Sequence, residues 1–324
     1  MCVPAATRHG AIGVALRTPA ILRGTRFFWS GTDMKFCGRI WWSAGIAALL
    51  GVCGAVAAQA ATYGHPVEGQ IGFQRGVTDV ARYIHWFHND ILMPIITIIC
   101  LFVLALLAYV AWKFNEKANP TPSKTTHNTL IEVAWTIVPV IILVIIAIPS
   151  FRLLTMQLTL PKPDVFIKVT GSQWQWHYDY PKDQGDFGFD SEIKSDDEIK
   201  PEKGDIRLLS VDNAAVVPVN KFVQLEVTSA PDGVIHSFVI QSFGIRIDAV
   251  PGRANQTWFK ADREGVYYGQ CSKICGINHA YMPIEFRVVS EDAYKQWLVD
   301  AKKKFAAAGS RTQLADIGVA PASR

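Results

Sequence analysis

The spacing of apolar positions changes twice along the chain. From Ile91 to Trp112 there are 22 consecutive residues without a charge. At ~1.5 Å per residue a helix of that length covers about 33 Å, enough to cross a bilayer. We place the first span at Asn89 to Trp112. A second apolar run covers Leu130 to Phe151. It has one charge, Glu132, near its start, and Pro139 and Pro149 inside it, which a bundled membrane helix tolerates. Beyond Asp164 the period becomes two. Trp174, Trp176, Tyr178 and Tyr180 alternate with Gln173, Gln175, His177 and Asp179, which predicts a strand with one aromatic face. Val223, Leu225 and Val227 make a second alternating run. His236 to Ile240, Val266 to Gln270 and Ile284 to Val289 add three more. The charged, glycine-bearing stretch 181–205 is expected to be an insertion loop. Short strands parted by turns predict an all-β sandwich or barrel. Asp292 to Phe305 fits an amphipathic helix with Tyr294, Trp297, Leu298 and Phe305 on its apolar side.

The hairpin has a direction. Lys113, Lys117 and Lys124 stand against Glu116 between the two spans, and that lysine excess puts the loop in the cytoplasm. The segment before the hairpin and everything after Arg152 then face the other side. Residues 34–60 read as a secretory signal: Lys35 and Arg39, an apolar stretch from Ile40 to Ala58, and Ala58-Gln59-Ala60 as a cleavage pattern. A retained anchor helix is the other reading of the same stretch. Residues 1–33 fit no element, and Met34 is the expected start, with 1–33 an upstream extension. The remaining boundaries are a mature N-terminal segment at 61–88, the hairpin at 89–155, an exported β-domain at 156–290, and a C-terminal helix with an aperiodic, disordered tail at 291–324.

Charge sharpens this division. The whole chain carries a net charge of +4, but residues 157–300 hold 15 basic against 21 acidic side chains. An acidic exported domain suits a basic partner and argues against nucleic acid. Of the six cysteines, Cys2, Cys37 and Cys53 fall in the leader and Cys100 in a membrane span. Only Cys271 and Cys275 belong to the exported domain, so it has no disulfide scaffold.

Those two cysteines lie in Cys271-Ser272-Lys273-Ile274-Cys275-Gly276-Ile277-Asn278-His279-Ala280-Tyr281-Met282-Pro283. Two thiols, an imidazole and a thioether within twelve residues form a soft ligand set that favours copper over zinc or magnesium. A disulfide or a redox pair would account for the cysteines but not for His279 and Met282. The set needs a further strong ligand. His236, in Val234-Ile235-His236-Ser237-Phe238, is the candidate, 35 residues ahead of Cys271. His85, His88, His127 and His177 lack such a setting, and His65 reads as solvated.

The pattern C-x-x-x-C-G-x-x-H-x-x-M-P resembles the binuclear copper A loop of cytochrome c oxidase subunit II. The likeness extends over roughly Arg82 to Val289, including the segment from Phe243 to Gln256. It implies a two-helix transmembrane hairpin followed by a Greek-key cupredoxin barrel, in a bacterial inner membrane with the barrel in the periplasm. It implies two copper ions held by His236, Cys271, Cys275, His279, Met282 and the backbone carbonyl of Lys273. Cytochrome c is the implied donor, oxidase subunits I and III the implied neighbours, and haem in subunit I the implied acceptor, with oxygen reduction and proton pumping there. Trp174 matches the tryptophan that receives the electron. Glu132, three residues before Trp135, matches a glutamate at the mouth of a proton pathway. Asp179 and Asp212, and more weakly Asp232, are candidates for docking the donor.

The chain departs from the family at two places. The family usually has glutamate at the position of Lys273, where its carboxylate helps hold magnesium against subunit I. An ammonium group is no metal ligand, so that role is not expected here. The family often has aspartate three residues before the first histidine, where this chain has Gly233. Three other functions share parts of this pattern. A quinol oxidase subunit lacks the copper ligands that this chain retains. A nitrous oxide reductase needs a large propeller for which there is no room. A membrane-tethered copper carrier without turnover would not need the Trp174 strand.

Overall fold

The computed structural model describes residues 64–306. The expected leader, the extension before it and the C-terminal tail lie outside the described residues. The described residues open with an irregular arm that runs into helix α1 (Asp79–Trp86), where Thr78 Oγ1 accepts the Ala81 N–H at 3.0 Å. A π-helical stretch, Phe87–Leu92, joins it to α2 (Met93–Lys113). Together they form one 35-residue helix. Helix α3 (Thr129–Leu158) starts on Asn128, whose side chain accepts the N–H groups of Leu130 and Ile131. Neither α2 nor α3 buries a residue within the chain. Their apolar side chains are therefore left uncovered by the rest of the described residues, as a membrane span requires.

Both helices outrun the spans expected from apolarity. The first begins at Asp79, ten residues before Asn89, and the second ends at Leu158 instead of Phe151. Apolar residues mark only the part inside hydrocarbon. At ~1.5 Å per residue α3 is about 45 Å long, some 15 Å more than a ~30 Å bilayer core. The surplus carries the chain out of the membrane towards the β-domain.

That domain is a two-sheet sandwich of cupredoxin type. Its strands are β1 (Val165–Ser172), β2 (Gln175–Tyr180), β3 (Phe187–Ser191), β4 (Ala215–Pro218), β5 (Val223–Ser229), β6 (His236–Ile240), β7 (Ile245–Ala249), β8 (Asn255–Phe259), β9 (Gly265–Cys271) and β10 (Pro283–Val289). One sheet runs β3-β2-β1-β5-β8 and the other β4-β10-β9-β6-β7. The pairs β1–β5 and β4–β10 are parallel, so each is joined by a crossover connection. Aromatic and β-branched side chains alternate inward, with Trp176, Tyr178, Phe238 and Phe286 fully buried between the sheets. Burying such rings supplies most of the drive to fold. Helix α4 (Glu291–Ala306) closes one flank, packing Trp297 and Phe305 on Phe187 and Phe189.

The arm locks the sandwich to the hairpin. Val77 N–H donates to Ser242 O at 2.9 Å, Asp262 N–H to Val77 O at 3.0 Å, and Thr78 Oγ1–H to Phe243 O at 2.8 Å. Arg82 pairs with Asp79 and Asp262, each at 2.6 Å. Gly244 is required for the contact: a Cβ there would lie 2.8 Å from the Ala81 backbone.

Two strand expectations need correction. The stretch 181–205 is not wholly an insertion loop, because Phe187–Ser191 pairs with β2 as an edge strand. Its five residues are too short for their alternation to stand out beside the surrounding charges. Trp174 is not on the aromatic face of β2. It precedes the strand, in the turn from β1, and only Trp176, Tyr178 and Tyr180 point into the core.

Candidate metal centre

Two separate segments supply the donor atoms. Strand β9 ends on Cys271, and the loop after it carries Lys273, Cys275 and Gly276 before a short 3₁₀ turn, His279–Tyr281, delivers Met282 to β10. His236 opens β6, which pairs with β9 through Phe238 opposite Cys271. Sheet register thus brings together residues 35 apart in sequence. Gly276 makes the loop possible. Its φ of +126° suits glycine, and a Cβ there would lie 2.7 Å from the Trp174 ring.

The donors form a continuous chain of contacts. His236 Nδ1 lies 4.0 Å from Cys271 Sγ, and the two Sγ atoms are 4.0 Å apart. Cys275 Sγ lies 3.5 Å from His279 Nδ1 and 3.6 Å from Met282 Sδ. The Lys273 carbonyl oxygen is 3.3 Å from Cys271 Sγ. A sulfur separation of 4.0 Å is about twice a disulfide bond, so both thiols are free. His236, Cys271, Cys275 and Met282 are buried, whereas His279 is half-buried at the rim. One ligand atom from each of His236, Cys271 and Cys275 fits within a 4.8 Å cluster. Two thiols flanked by two imidazoles, a thioether and a carbonyl are donors that a soft cation needs, and the residues present fit copper.

Protonation in the pocket is unfavourable to charge. Burial, then the neighbouring Cys271, push the Cys275 thiol up to about 12. Burial and the facing His279 lower the pKa of His236. Both shifts favour the neutral forms of Cys275 and His236, so a cation bound here would displace the Cys275 thiol proton.

The surrounding shell fixes these groups. Trp176 is fully buried, donates Nε1–H to Met282 O at 3.1 Å, and sets its ring edge-on to His236, 6.0 Å between centroids. Trp174 is half-buried and donates Nε1–H to Cys275 O at 3.2 Å, a carbonyl it shares with Gln173 Nε2 at 3.1 Å. Gln173 has no signal in the sequence; only the turn geometry reveals it. Lys273 turns its ammonium to Asp248 on β7, at 3.6 Å. Ile274 and Ile277 are 87% and 86% exposed in the same loop.

The other sequence candidates lie apart from this centre. Glu132 is in the first turn of α3, where its Oε1 accepts the Asn128 N–H at 3.3 Å and so completes the helix cap. Asp232 is exposed in the turn before His236. Asp179 is bonded to His177 on the outer face of β2. Asp212 accepts the N–H groups of Glu192 and Asn213. His65 bonds to Pro66 O, His85 stacks on Phe73, and His88 and His127 bond to their sequence neighbours.

Comparison with known proteins bears on both halves of the chain. The family described as cytochrome c oxidase subunit II, periplasmic domain, matches residues 165–289, and its transmembrane domain matches 66–153. A probable cytochrome c oxidase subunit 2 of Rickettsia bellii is 50% identical over 250 residues, covering 77% of this chain and 90% of the relative. Cytochrome c oxidase subunit 2 of Cereibacter sphaeroides is 45% identical over 276 residues, covering 80% and 89%. A crystal structure of the periplasmic domain of subunit II from Bradyrhizobium japonicum is 52% identical, covers 45% of this chain and 99% of its own, and has a TM-score of 0.41.

Proposed function

The chain belongs to the cytochrome c oxidase subunit II family, and from that premise we propose that it takes electrons from cytochrome c at a binuclear copper A centre and passes them to haem in subunit I. The observation that carries this is the buried cluster of two free thiols between His236 and His279, with Met282 and the Lys273 carbonyl beside it. When bound, two copper ions sharing one unpaired electron supply a one-electron relay that needs little rearrangement.

The residues of this chain do the rest. Cys271 and Cys275 would hold the copper as thiolates, His236 and His279 would hold it through their imidazoles, and Met282 and the Lys273 carbonyl would be its weaker ligands. Trp176 keeps Met282 in place through its backbone, so the ligand positions exist before metal arrives. Trp174 is the electron-receiving residue, bonded to the backbone of a copper ligand. The sandwich faces the periplasm of a bacterial inner membrane, and the hairpin lies against subunits I and III. Glu132, at the cytoplasmic end of α3, stands at the mouth of a proton pathway into subunit I, where oxygen reduction is coupled to proton pumping. Magnesium at the subunit I boundary receives no ligand from Lys273.

The test is copper stoichiometry and electron paramagnetic resonance on the full chain in detergent. Two coppers per chain and a narrow, multi-line hyperfine pattern are expected. Cys275→Ser should convert this to a single-copper pattern. One weakly held, chelator-labile copper in the unaltered chain would refute the relay and favour the tethered copper carrier.

A further inference from the structure

The outer face of the β2–β3 hairpin carries a histidine held between two carboxylates. His177 Nδ1 lies 2.7 Å from Asp190 Oδ1, and its Nε2 lies 3.2 Å from Asp179 Oδ1. An ionised carboxylate only accepts hydrogen bonds, and a neutral imidazole donates only one. Both bonds form together only when the ring is the doubly protonated cation. The cluster is built into the hairpin: a Cβ at Gly188 would lie 2.7 Å from Asp179 Oδ1 and 2.8 Å from His177 Nε2. The histidine side chain is 25% exposed and the carboxylates 41% and 48%, so the three together present their charge to solvent. His177 stands three residues beyond Trp174 in sequence, on the strand that follows the Trp174 turn.

The resemblance already implies that Asp179 helps dock the cationic electron donor; we infer that His177 sets the charge of this face and so makes donor affinity depend on pH. The inference rests on the function proposed above. With the ring protonated, Asp179, His177 and Asp190 sum to one negative charge. With it neutral they sum to two, and one of the two bonds is lost. Burial opposes protonation, but the bonds to Asp179 and Asp190 outweigh it and hold His177 above the ordinary imidazole value. The hairpin's own stabilisation is therefore full below that ordinary value and is lost as pH rises through the raised one. Donor affinity runs the opposite way, rising over the same interval. The neighbouring elements add few charges. Lys168 lies opposite Asp179 on β1, where Thr170 faces His177. Gly188 and Asp190 are the residues opposite on β3. Asn213 donates to Asp190 O, next to Asp212.

The test uses the copper-loaded full chain in detergent, with reduced mitochondrial-type cytochrome c as the cationic probe. The bimolecular electron-transfer rate and the donor affinity are followed from about pH 6 to 8.5 at low ionic strength, a range that brackets the ordinary imidazole value. The unaltered chain should gain up to about fivefold in affinity as pH rises, the upper end for a single exposed charge. His177→Gln should be flat with pH at the tighter limit. His177→Lys should be flat at the weaker limit, and both should keep the copper spectrum. A merely structural histidine would not give two flat profiles at opposite limits. Equal pH profiles in all three chains overturn the inference while leaving the copper relay intact. No transfer from the cytochrome to the unaltered chain at any pH refutes the proposed function, and the inference with it.

Discussion

Trp174 and Trp176 are two residues apart and alike in sequence, yet the fold gives them different work, and replacing each by phenylalanine should separate the two roles. Trp174 is half-buried and shares the Cys275 carbonyl with Gln173. Removing one of two donors leaves that carbonyl paired, so Trp174→Phe should cost under ~1 kcal/mol of stability. Trp176 is fully buried and donates to Met282 O. Without it a buried carbonyl loses its partner at about 1–3 kcal/mol. The smaller ring also leaves a void of some tens of Å³, worth about 1 kcal/mol at ~24 cal/mol per Å³. Trp176→Phe should therefore destabilise by about 2–4 kcal/mol, a fall in Tm of roughly 5–15 °C for a domain of this size. The assay compares thermal unfolding of the metal-free chains with copper content and with electron transfer from reduced cytochrome c. Trp174→Phe should keep its Tm and copper and lose at least about tenfold in rate, equal to ~1.4 kcal/mol of barrier. An unchanged rate in Trp174→Phe would refute the electron-receiving role. A Trp176→Phe chain as stable as the parent would refute the packing role.

Substitutions at two further positions, Gly276 and Glu285, test other parts of the domain. Gly276→Ala places a Cβ 2.7 Å from the Trp174 ring at a φ of +126°. It should cost about 1–3 kcal/mol and slow electron transfer while every metal ligand remains, as copper analysis would show. Glu285 is 1% exposed and accepts the Val211 N–H at 3.0 Å and the Arg287 guanidinium at 2.9 and 3.0 Å. Glu285→Ala should lose about 3 kcal/mol, near the low end for a broken buried pair, because Arg287 is half-exposed and can hydrate. Glu285→Gln keeps an acceptor for Val211 and should lose only about 1 kcal/mol. Hydrogen exchange across 192–212 should rise in the alanine chain alone.

The copper loop was legible because its donors are chemically unusual and lie within twelve residues. The membrane hairpin was legible because hydrocarbon tolerates little but apolar side chains over a span of that length. The β-domain was legible in its longer strands, where alternation lasts over several residues. Short elements such as Phe187–Ser191 and Ala215–Pro218 were not, because so few positions define no period. The helix ends were also hidden, since backbone hydrogen bonding continues after apolarity stops.

By itself, then, the sequence determined which ligand types this protein offers and that a hairpin precedes an acidic β-domain. Those properties belong to side-chain chemistry and local period. Only the tertiary structure decided that His236 meets Cys271 through the β6–β9 register. The same holds for Trp174, which leaves the aromatic face to lie on the copper loop. His177 found two carboxylates for the same reason, one of them thirteen residues away on β3. These contacts join residues whose separation in sequence carries no signal of proximity. They are fixed by strand pairing and close packing, which exist only once the sheets have formed.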